Sequence, residues 1–511
     1  PNKSKDCYCV VSVGAGCYYD PDEYQGLSHF LEHMLFMGSK KHPGENHFED
    51  RLNSLGGSYN AFTDDRETVY YFNINQSGLD EILDIFSRFF IDPLFNADSV
   101  GREIKAIHSE HSKNLQSDSW RLFRGVKNLA KSSHPFNKFG TGNLETLQKE
   151  NLLDTMKQYY KQYYYANNMS CCFTSSYSLE EMEQKVRQYF SDVPSGKVTI
   201  PKFNSDIFSD STLSQYYQFL PINNMNKINF IWSTPEPYKL DEYKYFDIVS
   251  YIWGQEDIGG LYHYLFEKGW CKDISAFNFD KNKDFGVFSL QINLTPLGLE
   301  NKETVIELTR QMITKFEDFN LLEISKFYQK IAQLNFDWGE VIQPLDLSLK
   351  LSQNSFHYPV NKLYSGDYLV NKIDIELMKQ WYRDTFINNK PLIVVASKTD
   401  FPETFQTEQY YQLKWSPIKI KSIKLKAPKY KVRVTDKYIP KQIKVIKDKE
   451  QSKPIMVQDK PFELWHYFTS LWDLPNAKVI VDLSSPNLFS TPRNYILTSI
   501  TLEMFNYYFN S

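Results

Sequence analysis

The sequence predicts an α+β fold: two homologous mixed-sheet modules with helices packed on each sheet, followed by the start of a third module. Three observations lead there. At 511 residues the chain exceeds the roughly 250–300 residues that one hydrophobic core sustains, so two or more large units are needed. Strand-like and helix-like apolar periodicities alternate along most of the chain, as mixed layers require. The order of those patterns over 1–205 then recurs over 206–437.

In the first module, CYCVVSVGAG (7–16) reads as a strand, LSHFLEHMLFM (27–37) as a helix and ETVYYFNI (67–74) as a strand. LDEILDIFSRFF (79–90) and the run from Asp98 to about Leu129 read as helices. KFGTGN (138–143) offers two glycines for a tight turn and Asn143 as an N-cap. MSCCFTSS (169–176) is strand-like and SLEEMEQKVRQYFSDV (178–193) helical. The turn-rich PSGKVTIPKFNSD (194–206) marks the boundary near 205. In the second module, KINFIWSTP (227–235), FGVFSLQINLTP (285–296) and KPLIVVASK (390–398) read as strands, and 241–254 and 301–319 as helices. From about 418 to 460 the chain is Lys-rich with scattered Pro and reads as an extended, solvated connection, with the linker proper placed at 438–461. Residues 462–511 read as the start of a third module, cut short.

Composition excludes several classes. A net charge of -4 is small for this length and argues against a dedicated nucleic-acid binder. With 41% apolar residues, 35 Tyr and 37 Phe, the chain can bury sizeable cores. No apolar run is long enough to span a bilayer. The first ten residues lack the basic-then-apolar order of a secretion signal and do not begin with Met, so the chain is expected to lack its native start. Six Cys without a C-x-x-C pair read as buried free thiols in a reducing, cytoplasmic setting.

One stretch carries chemistry. On a helix, Leu27, Phe30, Leu31, Met34 and Leu35 of GLSHFLEHMLFMGS form one apolar stripe at i, i+3, i+4, i+7, i+8. His29, Glu32, His33 and Phe36 fall on the opposite side. The two imidazoles are one turn apart and can converge on one ion, in the order H-x-x-E-H. The plain alternative is a solvated polar face, but Phe36 in its middle points to a pocket. A catalytic zinc needs a third protein ligand and an open position for water. Glu103 and Glu110, seven residues apart on a helix, lie within about 20° of one another and about 10 Å apart along its axis. Both can face the same neighbour, yet only one can be a simple ligand, leaving the other to support it.

GLSHFLEHMLFMGSKKHP, GSYNAFTDDRETVYYF, SEHSKN with WRLF, HPFNKFGTGN and, later, GQEDIGGLYHYLFEKGW closely resemble the insulysin–pitrilysin family of inverted-zincin metallopeptidases. The resemblance runs in register almost to LWHYF near 465 and implies an inverted-zincin half-shell. It implies one zinc ion per chain held by His29, His33 and Glu110, with Glu32 as general base and Glu103 as the supporting carboxylate. SYNAFT (58–63) would pair with a peptide backbone through Asn60 and Ala61, with Phe36, Phe62 and Trp120 lining side-chain pockets and Phe123 as ready to pack as to line. The family's site for the peptide's N-terminal end maps to Gly254, Glu256, Ile274 and Ala276. The sequence departs there, with Ala276 and Phe277 in place of glycines and Ile258 in place of a proline. The implied activity is a zinc endopeptidase acting on short to medium peptides enclosed in a chamber. The implied partners are peptide substrates and a C-terminal half or partner chain that supplies the rest of the clamshell. A catalytically weak or silent peptide-binding half, and an organellar presequence-processing subunit, are the competing readings.

Overall fold

The computed structural model describes residues 6–510, apart from 427, 436–438, 441, 459–462, 470–473 and 476. The edges of the expected linker at 438 and 461 lie outside the described residues.

The first sheet has four antiparallel strands in the order β2-β3-β1-β4: β1 (Asp6–Val13), β2 (Ser58–Thr63), β3 (Thr68–Asn75) and β4 (Met169–Thr174). β1 is the central template, with Val11 opposite both Tyr70 and Cys171. β2 is an open edge. Helices α1 (Leu27–Leu35), α2 (His47–Ser54), α3 (Leu79–Ile91), α4 (Val100–Asn114) and α5 (Asp118–Asn128) follow. The helical run expected from Asp98 to Leu129 is two helices, broken at residues 115–117. The stripe of α1, with Leu27, Phe30, Leu31, Met34 and Leu35 fully buried, packs with Tyr70, Phe72, Phe86 and Phe90 into the first core. Burying each such side chain stabilises the fold by roughly 1.5–3 kcal/mol, which is what fixes the opposite face of α1 outward.

The second sheet has seven strands in the order β10-β11-β5-β9-β6-β8-β7. They are β5 (Tyr216–Phe219), β6 (Lys227–Pro235), β7 (Cys271–Lys281), β8 (Phe285–Leu294), β9 (Leu392–Ala396), β10 (Gln406–Thr407) and β11 (Lys414–Ile418). Only β5 and β9 pair in parallel. A core around Phe230, Trp232, Trp253, Phe288 and Phe386 fills one face.

The two sheets are stitched together. Helix Pro344–Asn354 lies against β1 and β4 of the first sheet, with Ser352 Oγ donating to Ser12 Oγ (2.8 Å) and Ser348 and Thr174 hydroxyls 2.7 Å apart. The Lys-rich segment after 418 is not solvated throughout. Ile418, Ile420, Leu425, Tyr430, Val432 and Val434 pack on the second core, and Tyr430 Oη donates to Leu308 O (2.8 Å). The basic residues mask a period-2 alternation whose aliphatic members turn inward. Cys7, Cys9, Cys17 and Cys271 are buried free thiols, but Cys171 is exposed, because β4 is an edge strand. Among the described residues no helix is long and apolar enough to cross a membrane.

Candidate metal centre

Helix α1 starts at Gly26 in the left-handed region (φ 90°), where the buried Asp20 carboxylate accepts from Gly26 N (2.8 Å) and Ser28 N (2.9 Å). That anchored start aims the polar side of α1 into a cavity of about 760 Å³. His29, Glu32 and His33 line it from α1, Glu103 and Glu110 from α4. His29 Nε2 is 3.4 Å from Glu110 Oε2 and His33 Nε2 is 3.9 Å from Glu110 Oε1. One ligating atom from each of His29, His33 and Glu110 can be chosen so that all lie within 4.8 Å of one another. The imidazoles cross at 82° with centroids 5.0 Å apart.

Each imidazole has its far nitrogen committed. His29 Nδ1 donates to Thr141 O (2.7 Å) and His33 Nδ1 donates to Glu103 Oε2 (3.1 Å), so in the neutral rings both Nε2 atoms offer a lone pair. Burial alone would lower the His33 pKa, yet the hydrogen bond to Glu103 and the charges of Glu32 and Glu110 outweigh it and raise it. The site therefore favours added positive charge. Two nitrogens and a carboxylate oxygen in an acidic pocket suit a divalent ion of the zinc type.

Glu32 is only 6% exposed. Burial pushes its carboxyl up, while the charge of His29 and a hydrogen bond from Thr63 oppose the rise. Thr63 Oγ1 donates to Glu32 Oε2 at 2.6 Å. Thr63 was not foreseen from the sequence, although it closes the SYNAFT run that holds the candidates Asn60, Ala61 and Phe62. Asn60, Ala61 and Phe62 on the open edge β2, and Trp120 on α5, line the same cavity, as does Phe123. Phe36 reaches the wall but packs against Tyr59 (5.1 Å) and Phe89 (5.0 Å) as part of the first core. Tyr411, from the loop before β11, also lines the cavity and was not foreseen.

Gly254, Glu256, Ile274 and Ala276 are not brought to this cavity. Gly254 ends a helix, with the amide of Ala276 in contact range of any Cβ placed there. Ile274 is 5% exposed and belongs to the second core, so its side chain faces inward and only its backbone on edge strand β7 is open to a ligand.

Comparison with known families places this geometry. The insulinase (peptidase family M16) domain matches residues 1–132, the peptidase M16 inactive domain 151–323, and the middle or third domain of peptidase M16 336–511. The chain belongs to the M16 peptidase family, with its domains running along almost the whole length. It is similar to the peroxisomal insulin-degrading enzyme-like 1 of Arabidopsis thaliana, at 29% identity over 99% of this chain and 54% of that protein. It is also similar to the human (Homo sapiens) insulin-degrading enzyme, at 28% identity over 97% and 50% respectively. The crystal structure of pitrilysin superposes with a TM-score of 0.81 at 22% identity, covering 90% of this chain and 50% of that one. The chain spans about half the length of the curated relatives it matches.

Proposed function

We propose that this chain carries the hydrolytic centre of a zinc metalloendopeptidase acting on peptides. The single observation that supports it most is the convergence of His29, His33 and Glu110 beside a buried, hydrogen-bonded Glu32. Membership of a peptidase family supports metallopeptidase chemistry in general. A zinc ion held by His29, His33 and Glu110 would supply Lewis acidity to a water and to the scissile carbonyl. Glu32 takes the proton of the attacking water at Oε1, since Thr63 occupies Oε2, and later delivers it to the leaving amine. Glu103 holds His33 with Nε2 on the Glu110 side, where it would bind the ion. The open edge of β2 pairs with an extended peptide through backbone hydrogen bonds, which gives affinity with little sequence preference. Trp120 and Phe62 offer apolar surface to substrate side chains.

The same reading takes 1–205 as the module bearing the centre, 206–437 as its homologue, 438–461 as a linker and 462–511 as the start of a third. The complete reaction chamber then needs further chain, in cis or from a partner, and peptides small enough to be enclosed are the substrates. A silent peptide-binding half is the second reading, but it has no use for a buried base held by Thr63.

Elemental analysis with a fluorogenic peptide assay tests this. One zinc per chain is expected in the parent and in Glu32→Gln, with turnover reduced about 10²–10⁴-fold in the variant. Unchanged turnover in Glu32→Gln, or no zinc in the parent, overturns the assignment.

A further inference from the structure

We infer that Tyr411, supplied by the second module, is a positioning residue of the metal centre that acts through the Gly140–Thr141–Gly142 turn. The inference rests on the zinc reading above and extends it to a residue far outside the H-x-x-E-H helix.

A backbone carbonyl can only accept, so the 2.7 Å contact between Thr141 O and His29 Nδ1 puts the ring proton on Nδ1. Nε2, which faces Glu110, is thereby the free nitrogen. Two of the contacts that hold this turn bear on the carbonyl's position, beside the Phe139 amide bonded to Gln25 Oε1 (2.7 Å) and the Phe139 ring stacked on Tyr410 (4.1 Å). On one side it is pressed against the start of α1: a Cβ on Gly26 would sit 2.3 Å from Gly142 Cα, and both glycines have positive φ (90° and 78°). That contact sets how close the turn lies to α1. On the other side, the Thr141 hydroxyl lies 3.3 Å from Tyr411 Oη, which fixes the Thr141 side chain and with it the orientation of the residue.

Tyr411 is built to be immobile. It is 2% exposed, stands edge-on to His111 at 4.9 Å and is stacked on Trp120 at 6.2 Å. The buried Glu408 carboxylate accepts from Tyr411 N (2.7 Å) and Tyr410 N (3.1 Å) and pairs with Arg124 Nε (2.9 Å). Arg121 Nη1 donates to Tyr411 O (2.6 Å). Two arginines of α5 thus clamp a loop of the second module against the first. The tyrosine hydroxyl at its tip is the point where docking of the modules reaches a metal ligand. Without that docking, the turn would keep its glycine contact and the Gln25 bond but lose the Tyr411 hydroxyl from Thr141.

Zinc affinity of the full 511-residue chain, measured by competition with a chromogenic chelator, tests this. Outer-sphere partners of a metal-bound histidine typically change affinity about 10–100-fold, and a hydroxyl one residue further out should change it about 3–10-fold. Tyr411→Phe and Thr141→Val are each expected to weaken zinc binding to that extent, with Thr141→Ser near the parent. The double variant Tyr411→Phe/Thr141→Val should be no weaker than either single one, because both cut the same link. The apo-protein melting temperature of Tyr411→Phe should stay within about 2 °C of the parent, as its ring contacts are kept. Unchanged zinc affinity in Tyr411→Phe, strictly additive losses, or losses that track a falling melting temperature overturn the inference while leaving the zinc reading intact. A parent that binds no more zinc than His33→Ala sinks both.

Discussion

The two carboxylate oxygens of Glu32 are not equivalent. Oε2 receives the Thr63 hydroxyl, and the side chain is buried at the wall of the cavity. If Glu32 is the base, as proposed, such a clamp leaves Oε1 as the oxygen that can take a proton. The same hydroxyl ties the end of β2, the strand proposed to pair with a peptide, to Glu32 on α1, the proposed base. A hydrogen bond to a charged group contributes about 1.5–3 kcal/mol, equivalent to roughly 10–100-fold in rate if it acts only in the chemical step. Thr63→Val is therefore expected to lower kcat by about that factor with KM nearly unchanged, and Thr63→Ser to recover most of it. Steady-state kinetics on both variants, with zinc content checked, decide the matter. A Thr63→Val enzyme with the parent's kcat would remove Thr63 from the mechanism.

Helices and strands differ in how openly the sequence announces them. The stripe of α1 is plain at 3.6 periodicity, and its polar face could be read as a site because His29, Glu32 and His33 interrupt nothing that the core needs. Strand β2 was legible in SYNAFT, the run expected to pair with a peptide backbone. Strand β7 was not, since CKDISAFNFDK is a half-exposed edge with two register shifts that break its alternation. Helix Pro344–Asn354 was hidden for another reason: the residues it buries are Ser348, Ser352 and Asn354, so no apolar stripe announces it. Its fit to β1 and β4 depends on hydroxyl pairs, and Ser12 and Ser352 are both fully buried. Ser352→Val keeps the helix but removes a hydrogen-bond partner from a buried hydroxyl. It is expected to cost about 1–3 kcal/mol in denaturant unfolding, whereas Ser355→Ala, at an exposed position, should cost almost nothing. Equal stabilities for the two variants would mean that the helix is held by something other than this seam.

Where the two modules meet, charge is buried on a scale that makes the whole molecule sensitive to pH. Tyr18 of the first module donates to Asp280 of the second at 2.6 Å, and Lys127 pairs with Asp65 at 2.8 Å beside them. Burial, reinforced by the charge of Asp65, pushes the Asp280 carboxyl up to about 7, against the opposing pull of the Tyr18 hydrogen bond and Lys127. In the unfolded chain the same group titrates near 3.9. Between those two values the native state holds a proton that the unfolded state has lost, so this group's contribution to stability falls as pH rises from about 4 to about 7. Asp64 and Asp20, raised to about 6 and about 7 chiefly by burial, act in the same direction. Asp65 and Asp241 have their carboxyls lowered: burial opposes the shift, but neighbouring lysines outweigh it, so both groups lose stability on acidification instead. The net profile mixes both signs, and a difference measurement isolates one. Asp280→Asn keeps an acceptor for Tyr18 and cannot ionise. Its melting temperature relative to the parent is expected to be several degrees more favourable at pH 8 than at pH 5, measured by calorimetry at constant ionic strength. A difference that does not change with pH would show that Asp280 carries its charge in the folded protein. The junction between the modules would then have to solvate that anion, and the route by which Tyr18 joins the two cores would be electrostatic rather than protonic.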